Sequence, residues 1–247
     1  MLPAGNVLPN RMYEVKKVMS KMGLEYQKIH SCPNDCVLYR NEYEGLSQCP
    51  KCETPWYKKK NKDDRNCGKK KNKKQPLKVM WYLPIVPRLK RLFTNANNAK
   101  HLRWHGDARV ADGRYLRHLA DSPQWKKIDE MYPDFGGEVR NIRLGLFTDG
   151  INPFGNMTST HSAWPVLLVI YNLPPWLCMK RKYMMLSIMI SGPKQPGNDI
   201  DVYLAPLIDD LKMLWGEGID VFDAYKQESF NEANFSLNKK ISLIYIN

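Results

Sequence analysis

Three apolar runs of strand length follow one another between residues 139 and 191, and each is closed by a turn signal. They are VRNIRLGLFT (139–148), AWPVLLVIY (163–171) and YMMLSIMIS (183–191). Asn152-Pro153 follows the first, Asn172-Leu173-Pro174-Pro175 the second, and the Gly192-Pro193 to Pro196-Gly197 segment the third. Runs of this length and composition, punctuated in this way, predict strands. The next segment changes period. From Asp199 to Trp215, apolar residues fall at Val202, Leu204, Leu207, Ile208, Leu211 and Leu214, a helical stripe that ends at Gly216 or Gly218. Ile219 to Asp223 then begins a fourth strand.

Strand, strand, strand, helix, strand is the order of an RNase H-like α/β core. The first strand ends on GLFTDGINPFG, where Asp149 is followed at once by Gly150. Two readings of Asp149 stand side by side: an ordinary turn aspartate, or a metal-binding carboxylate presented at the end of a core strand. Upstream, Asp121 or Ser122 caps a helix with Pro123 in its first turn, running to about Met131. Residues 79–105 hold one or two short helices. Residues 11–28 carry Met12, Val15, Val18, Met19, Met22 and Leu24 at close to helical spacing.

Six cysteines occupy positions 32, 36, 49, 52, 67 and 178. Four form the pattern C-x3-C-x12-C-x2-C (Cys32, Cys36, Cys49, Cys52). Each close pair can grip one ion from a tight turn, and four thiolates complete a closed tetrahedral shell of the structural kind, best suited to Zn²⁺. Metal binding would fold a segment too small to fold alone. Four free thiols in a loop is the alternative, and His30 or Cys67 are lesser candidate ligands. Cys178, in an apolar setting, reads as a small buried hydrophobe.

The net charge is +13 and is unevenly spread. Between Lys58 and Lys78 there are eleven Lys and Arg against two Asp, so this stretch carries nine of the thirteen net charges. Lys58, Lys59, Lys60, Lys69, Lys70, Lys71, Lys73 and Lys74, with a second cluster at Arg88, Lys90 and Arg91, are the candidate nucleic-acid contacts. Such a run binds phosphate backbones without reading bases, and the binding weakens steeply with salt. It also resembles a bipartite nuclear import signal, which implies a nuclear location. A solvated linker is the bland alternative. Arg103-Trp104-His105 and Trp125 can stack on exposed bases, although core packing is the commoner use of tryptophan. There is no apolar h-region at the start and no apolar run of about 18 residues, so the expectation is a soluble, intracellular chain without membrane contact. No nucleophile–base spacing supports a small-molecule hydrolase.

Several long motifs, in order, resemble one family. CPNDCVLYRNEY…CPKC, RWHGDARVADGRYLRHLADSPQW, YPDFGGEVRNIRLGLFTDGINPFG, SAWPVLLVIYNLPPWLCMK and ISGPKQPGNDIDVYLAPLIDDLKMLW together look like the tnp2-like transposase of plant CACTA (En/Spm) elements. The likeness spans about residues 25–230. It implies a DDE/D-type transposase that cuts and joins DNA at the transposon ends, acts with other transposase subunits, and uses Mg²⁺ between clustered carboxylates. Asp149 matches the first catalytic aspartate. Asp199 and Asp201 match a GP-x-x-P-G-x-D-I-D segment and read as helix-cap or structural carboxylates.

The match departs from the family pattern at its end. After Phe230 the likeness fades into SFNEANFSLNKKISLIYIN, without the N-D-F-P-A-Y block expected to carry the second catalytic aspartate. Asp223 is a weaker candidate for that role, and Ile151 stands where the family has an aromatic. The expectation is therefore a transposase fragment, inactive alone. It comprises an N-terminal helical segment (1–29), a zinc-ribbon-like four-cysteine module (30–57), a basic linker (58–78), a helical and aromatic connecting region (79–135), an incomplete RNase H-like core (136–230) and a divergent tail (231–247). The competing expectation is a zinc-containing basic DNA-binding or protein-interaction module derived from a transposase.

Overall fold

The apolar runs form adjacent antiparallel strands, and the long apolar stripe forms a helix laid across them. The computed structural model of the chain describes residues 14, 17, 25–58, 74–110, 115–152, 162–192, 196, 199–232 and 244–245. In chain order the strands are β1 (Gln27–Ser31), β2 (Lys78–Tyr82), β3 (Leu144–Thr148), β4 (Trp164–Ile170), β5 (Met185–Ile190), β6 (Ile219–Asp223), β7 (Glu228–Glu232) and β8 (Ile244–Tyr245). The helices are α1 (Val86–Phe93), α2 (Ala96–Leu102), α3 (Trp104–Asp107), α4 (Pro123–Met131), α5 (Pro133–Gly137), α6 (Pro175–Cys178) and α7 (Ile200–Gly216).

The main sheet has the order β1-β2-β5-β4-β3-β8. The first five of these strands are antiparallel to their neighbours, and β8 lies parallel to β3. Within the sheet β4 is central, and its sequence shows why. Val166, Leu168 and Ile170 join the large core with α1 and α7, whereas Val169 packs on the other face with Ala120, Trp125 and Tyr171. A strand covered on both faces reads as a continuous apolar run rather than an alternating one. Gly145 of β3 lies under the Tyr171 ring, where a β-carbon would collide.

The helix α4 begins as the sequence predicts. Ser122 is its N-cap and accepts from the Trp125 amide, Pro123 holds the first helical position, and Met131 is its last residue. The predicted fourth strand also forms, as β6, but its partner lies outside the main sheet: among the described residues it pairs with β7, as a hairpin. The physical reason is its one-sided burial. Ile219 and Val221 enter the large core while Asp220 and Phe222 face outward, so β6 rests on the core as a covering ribbon. Phe230 of β7 packs edge-on against Phe93 of α1 at 5.1 Å.

Strands β1 and β2 are a correction to the sequence reading. The amphipathic helix expected over 11–28 lies mostly outside the described residues, and its last two positions, Gln27 and Lys28, belong to β1. The segment Lys78–Tyr82, expected to lead into helices, is a strand pairing with both β1 and β5. A short run such as KVMWY has no periodicity that separates strand from helix. Its partners, far away in sequence, decide.

On the second face of the sheet, Trp125 is 4% exposed and holds the Arg143 guanidinium over its ring at 4.0 Å. The His105 ring meets Trp125 at 5.1 Å. Burial, then the positive charges of Arg143 and His118, push His105 down to about 4. An unfolded histidine titrates near 6.5, so between these values the unfolded chain binds the extra proton. The stability present above pH 6.5 is thus lost as pH falls toward 4. Thermal melts should show a loss from this group that begins near pH 6.5 and steepens toward about 1.4 kcal/mol per pH unit near pH 5. The His105→Gln variant should show a shallower pH slope; an unchanged slope would assign the loss elsewhere.

Candidate metal centre

The four cysteines of the spaced pattern converge. The sulfur atoms of Cys32, Cys36, Cys49 and Cys52 all lie within 4.8 Å of one another, and Cys32 Sγ is 3.4 Å from Cys52 Sγ. Two matching turns present them. In the first, the Asn34 amide donates to Cys32 Sγ at 3.4 Å; in the second, the Lys51 amide donates to Cys49 Sγ at 3.4 Å. Each turn is closed by a backbone pair: Cys32 N–H to Val37 O at 2.9 Å, and Cys49 N–H to Thr54 O at 2.9 Å. Each turn also needs one left-handed residue, Asp35 (φ 63°) and Glu53 (φ 57°), a conformation that costs non-glycine residues about 1 kcal/mol.

An aromatic plate backs the sulfurs. Tyr39 stacks on Trp56 at 4.1 Å, and Trp56 stacks on Tyr57 at 4.8 Å. The Trp56 indole N–H donates to His30 Nδ1 at 3.0 Å. His30, pushed down by burial and by Lys28, is therefore a packing partner of the plate and stands outside the sulfur cluster. Cys67 lies outside the described residues. Burial pushes Cys32 up to about 11 and Cys36 up to about 12, while hydrogen bonds with Thr54 hold Cys52 down to about 6. Four thiols this close cannot all ionise without a cation between them. Four converging sulfur donors suit a closed tetrahedral site that can hold a metal such as zinc.

The first cysteine turn is bolted to the sheet and to α7. The Asp35 carboxylate, between Cys32 and Cys36, forms an ion pair with Lys78 of β2 and accepts a hydrogen bond from the Tyr203 hydroxyl of α7. Lys78 is 9% exposed and Tyr203 is fully buried. Arg40, just beyond the turn, pairs with Asp209 of α7 at 2.8 Å, and the Tyr82 hydroxyl donates to Asp210. Nothing in the sequence singles out Asp35, Lys78 or Tyr203, because Asp35 and Tyr203 are 168 residues apart.

Asp149 is exposed, one residue beyond β3, and its Oδ1 accepts from the Gly150 amide at 2.7 Å. Just past it, Ile151 and Ala163 exchange backbone hydrogen bonds at 2.8 Å and draw the chain ends together. Asp223 is fully buried. Its Oδ1 accepts from the Tyr225 and Lys226 amides at 2.9 and 3.2 Å, the pattern of a turn aspartate, and its Oδ2 lies 3.9 Å from Arg140. Arg140 is held by Glu138 and Glu228 and lies over the Phe230 ring at 4.0 Å. Among the described residues, the only cluster of three or more histidine, cysteine or acidic side chains close enough to share an ion is the four cysteines.

The model of the transposase family tnp2 matches residues 112–238. The chain belongs to this family. The matched segment contains α4, β3 to β5, Asp149, α7 and the β6–β7 hairpin; the cysteine cluster and the basic stretch lie outside it. No curated protein and no solved structure gives a match.

The remaining predicted residues are placed as follows. Asp199 stands at the N-cap position of α7 without a side-chain cap bond, and Asp201 is in the first turn, where its charge complements the helix dipole. Lys59, Lys60, Lys69, Lys70, Lys71 and Lys73 lie outside the described residues. Lys58 is exposed, and Lys74 lies over the Tyr57 ring at 5.4 Å. Lys90 and Arg91 are exposed, whereas Arg88 turns inward and donates to the Leu186 carbonyl of β5. Trp125 and His105 are core residues of this family member, and Trp104 is half-buried.

Removing the metal should loosen more than the cysteine turns, because Asp35 ties them to α7. A purified chain should carry close to one zinc per chain by elemental analysis. Chelation should lower the melting temperature of the whole chain, and Cys49→Ser should abolish both the zinc and the chelator effect. Tyr203→Phe, which removes a bond to a charged acceptor, should cost about 1.5–3 kcal/mol with the zinc retained. A chain whose melting is indifferent to chelation would sink this reading.

Proposed function

We propose that this chain is the DNA-handling part of a plant CACTA (En/Spm)-type transposase, nuclear in location, with a structural Zn²⁺ in the cysteine cluster. The tnp2 match across the sheet carries this reading. The antiparallel run β3-β4-β5 followed by α7 fits an RNase H-like core, and Asp149 lies exposed just beyond β3, where a first metal-binding carboxylate of a DDE/D transposase belongs. The basic stretch from Lys58 to Lys74 supplies the electrostatic grip on transposon ends and an import signal.

A catalytic Mg²⁺ pair does not fit the carboxylates described here. Among the described residues Asp149 belongs to no group of three or more histidine, cysteine or acidic side chains close enough to share an ion, and Asp223 is buried, engaged with two amides and beside Arg140. This stretch of chain binds DNA and does not cut it unaided. That is also the behaviour of the alternative reading, a zinc-containing DNA-binding module derived from a transposase, and the concentration of positive charge between Lys58 and Lys78 favours it over a pure protein-interaction role.

Binding of the purified chain to terminal-repeat duplex DNA should fall with salt at a log–log slope of about −5 or steeper, as about six neutralised phosphates require. Binding should survive Asp149→Asn and weaken in Cys49→Ser, and Mg²⁺ should produce no nicks. Nicking abolished by Asp149→Asn would overturn the non-cleaving reading. Absence of DNA binding at moderate salt would overturn the whole assignment in favour of a protein-interaction role.

A further inference from the structure

The second face of the sheet ends in an aromatic ladder that climbs from the core to solvent. Trp125, 4% exposed, meets His118 at 6.1 Å; His118 meets Trp104 at 5.4 Å; Trp104 meets Trp176 at 5.3 Å. Trp176, at the top, is 60% exposed. Each rung is fixed. His118 Nδ1 accepts from the Ala120 amide at 3.1 Å, so its Nε2–H donates to the Leu173 carbonyl at 3.2 Å, just before the turn that carries Trp176. That turn, α6, is closed by hydrogen bonds from the Leu177 and Cys178 amides to Pro174 O at 2.8 and 3.1 Å. A large indole held rigidly in solvent loses little freedom on contact with a partner.

The segment that carries Trp176 is cationic. Lys180, Arg181 and Lys182 follow α6 and are exposed. Lys182 reaches Asn98 of α2 at 3.3 Å. Between Asp149 and Asp199 the chain contains no acidic residue. Rigid aromatic surface flanked by cations is the combination that binds unpaired bases, with the ring stacking on the base and the cations following the phosphates.

We infer that Trp176, supported by Trp104 and flanked by Lys180 and Arg181, is a stacking platform for an unpaired base of the bound DNA. The inference rests on the DNA-handling reading above and adds a second contact surface, separate from the basic stretch. It also relocates the base-stacking role that Arg103-Trp104-His105 and Trp125 suggested. His105 and Trp125 are buried, and Trp104 serves as the support.

The test compares fluorescein-labelled duplex DNA with the same duplex carrying one unpaired thymine, using the zinc-loaded full chain. The wild type should prefer the DNA with the unpaired base by about tenfold, the scale of one base stack. Trp176→Ala should bring that ratio close to one and Trp176→Phe should keep most of it, with both variants melting near wild type. The Lys180→Gln/Arg181→Gln pair should reduce the salt slope by about two. Equal affinity of the wild type for both duplexes, or a ratio unmoved by Trp176→Ala, overturns the platform and leaves the DNA-handling reading in place. Trp176-dependent self-association in place of base preference overturns it as well. Failure to bind either duplex removes both.

Discussion

The Asp35 carboxylate joins three parts of the molecule that are far apart in sequence. It belongs to the first cysteine turn, pairs with Lys78 at the start of β2, and accepts from Tyr203 in the first half of α7. Lys78 and Tyr203 are both deeply buried, so neither can replace Asp35 with water. Taking one partner from a buried pair leaves an uncompensated charge, at a cost of about 3–5 kcal/mol. Asp35 adopts a left-handed backbone between Cys32 and Cys36. The cysteine turns, α7 and β2 are therefore tied together through one carboxylate.

The sheet distributes the remaining interactions between its two faces. On one, α1 and α7 cover β2, β4 and β5 with aliphatic side chains and the buried rings of Phe93 and Tyr203. On the other, the cover is thinner and aromatic, built from Trp125, Ala120 and Tyr171, with Arg143 over the Trp125 ring. The cation there is half-hidden and its carboxylate partner is Asp129 of α4. Burial pushes Arg143 down, and the rings and Asp129 keep the charge tolerable. This second face is where the chain reaches solvent through Trp176, whereas the larger core on the first face is closed by the β6–β7 ribbon.

Much of the central structure was legible because local chemistry and tertiary packing agree there. The apolar runs, the Ser122-Pro123 helix start, the stripe from Val202 to Leu214 and the cysteine spacing each have a short-range cause, and each appears where that cause places it. Features decided by distant partners were not legible. KVMWY becomes a strand only because β1 and β5 flank it. Arg88 looks like a surface cation and instead supports the Leu186 carbonyl. Asp223 follows an apolar run much as Asp149 does, yet one is sealed against Arg140 and the other faces solvent. A sequence shows that a carboxylate follows a strand; it does not show what closes over it.

The basic stretch leaves and re-enters the fold at a single point. The Lys58 amide donates to the Gln75 carbonyl at 2.9 Å, Tyr57 and Pro76 form a bridge, and the Leu77 amide donates to Trp56 O at 3.0 Å. Its two ends are thus stapled, and β1 and β2 on either side are neighbours in one sheet. The separation of those two ends is therefore fixed whatever the number of residues between them. Doubling such a loop costs only about 0.6 kcal/mol. Its length and lysine content are free to drift while the scaffold beneath stays put, so the strength of the electrostatic grip can be retuned without touching the fold.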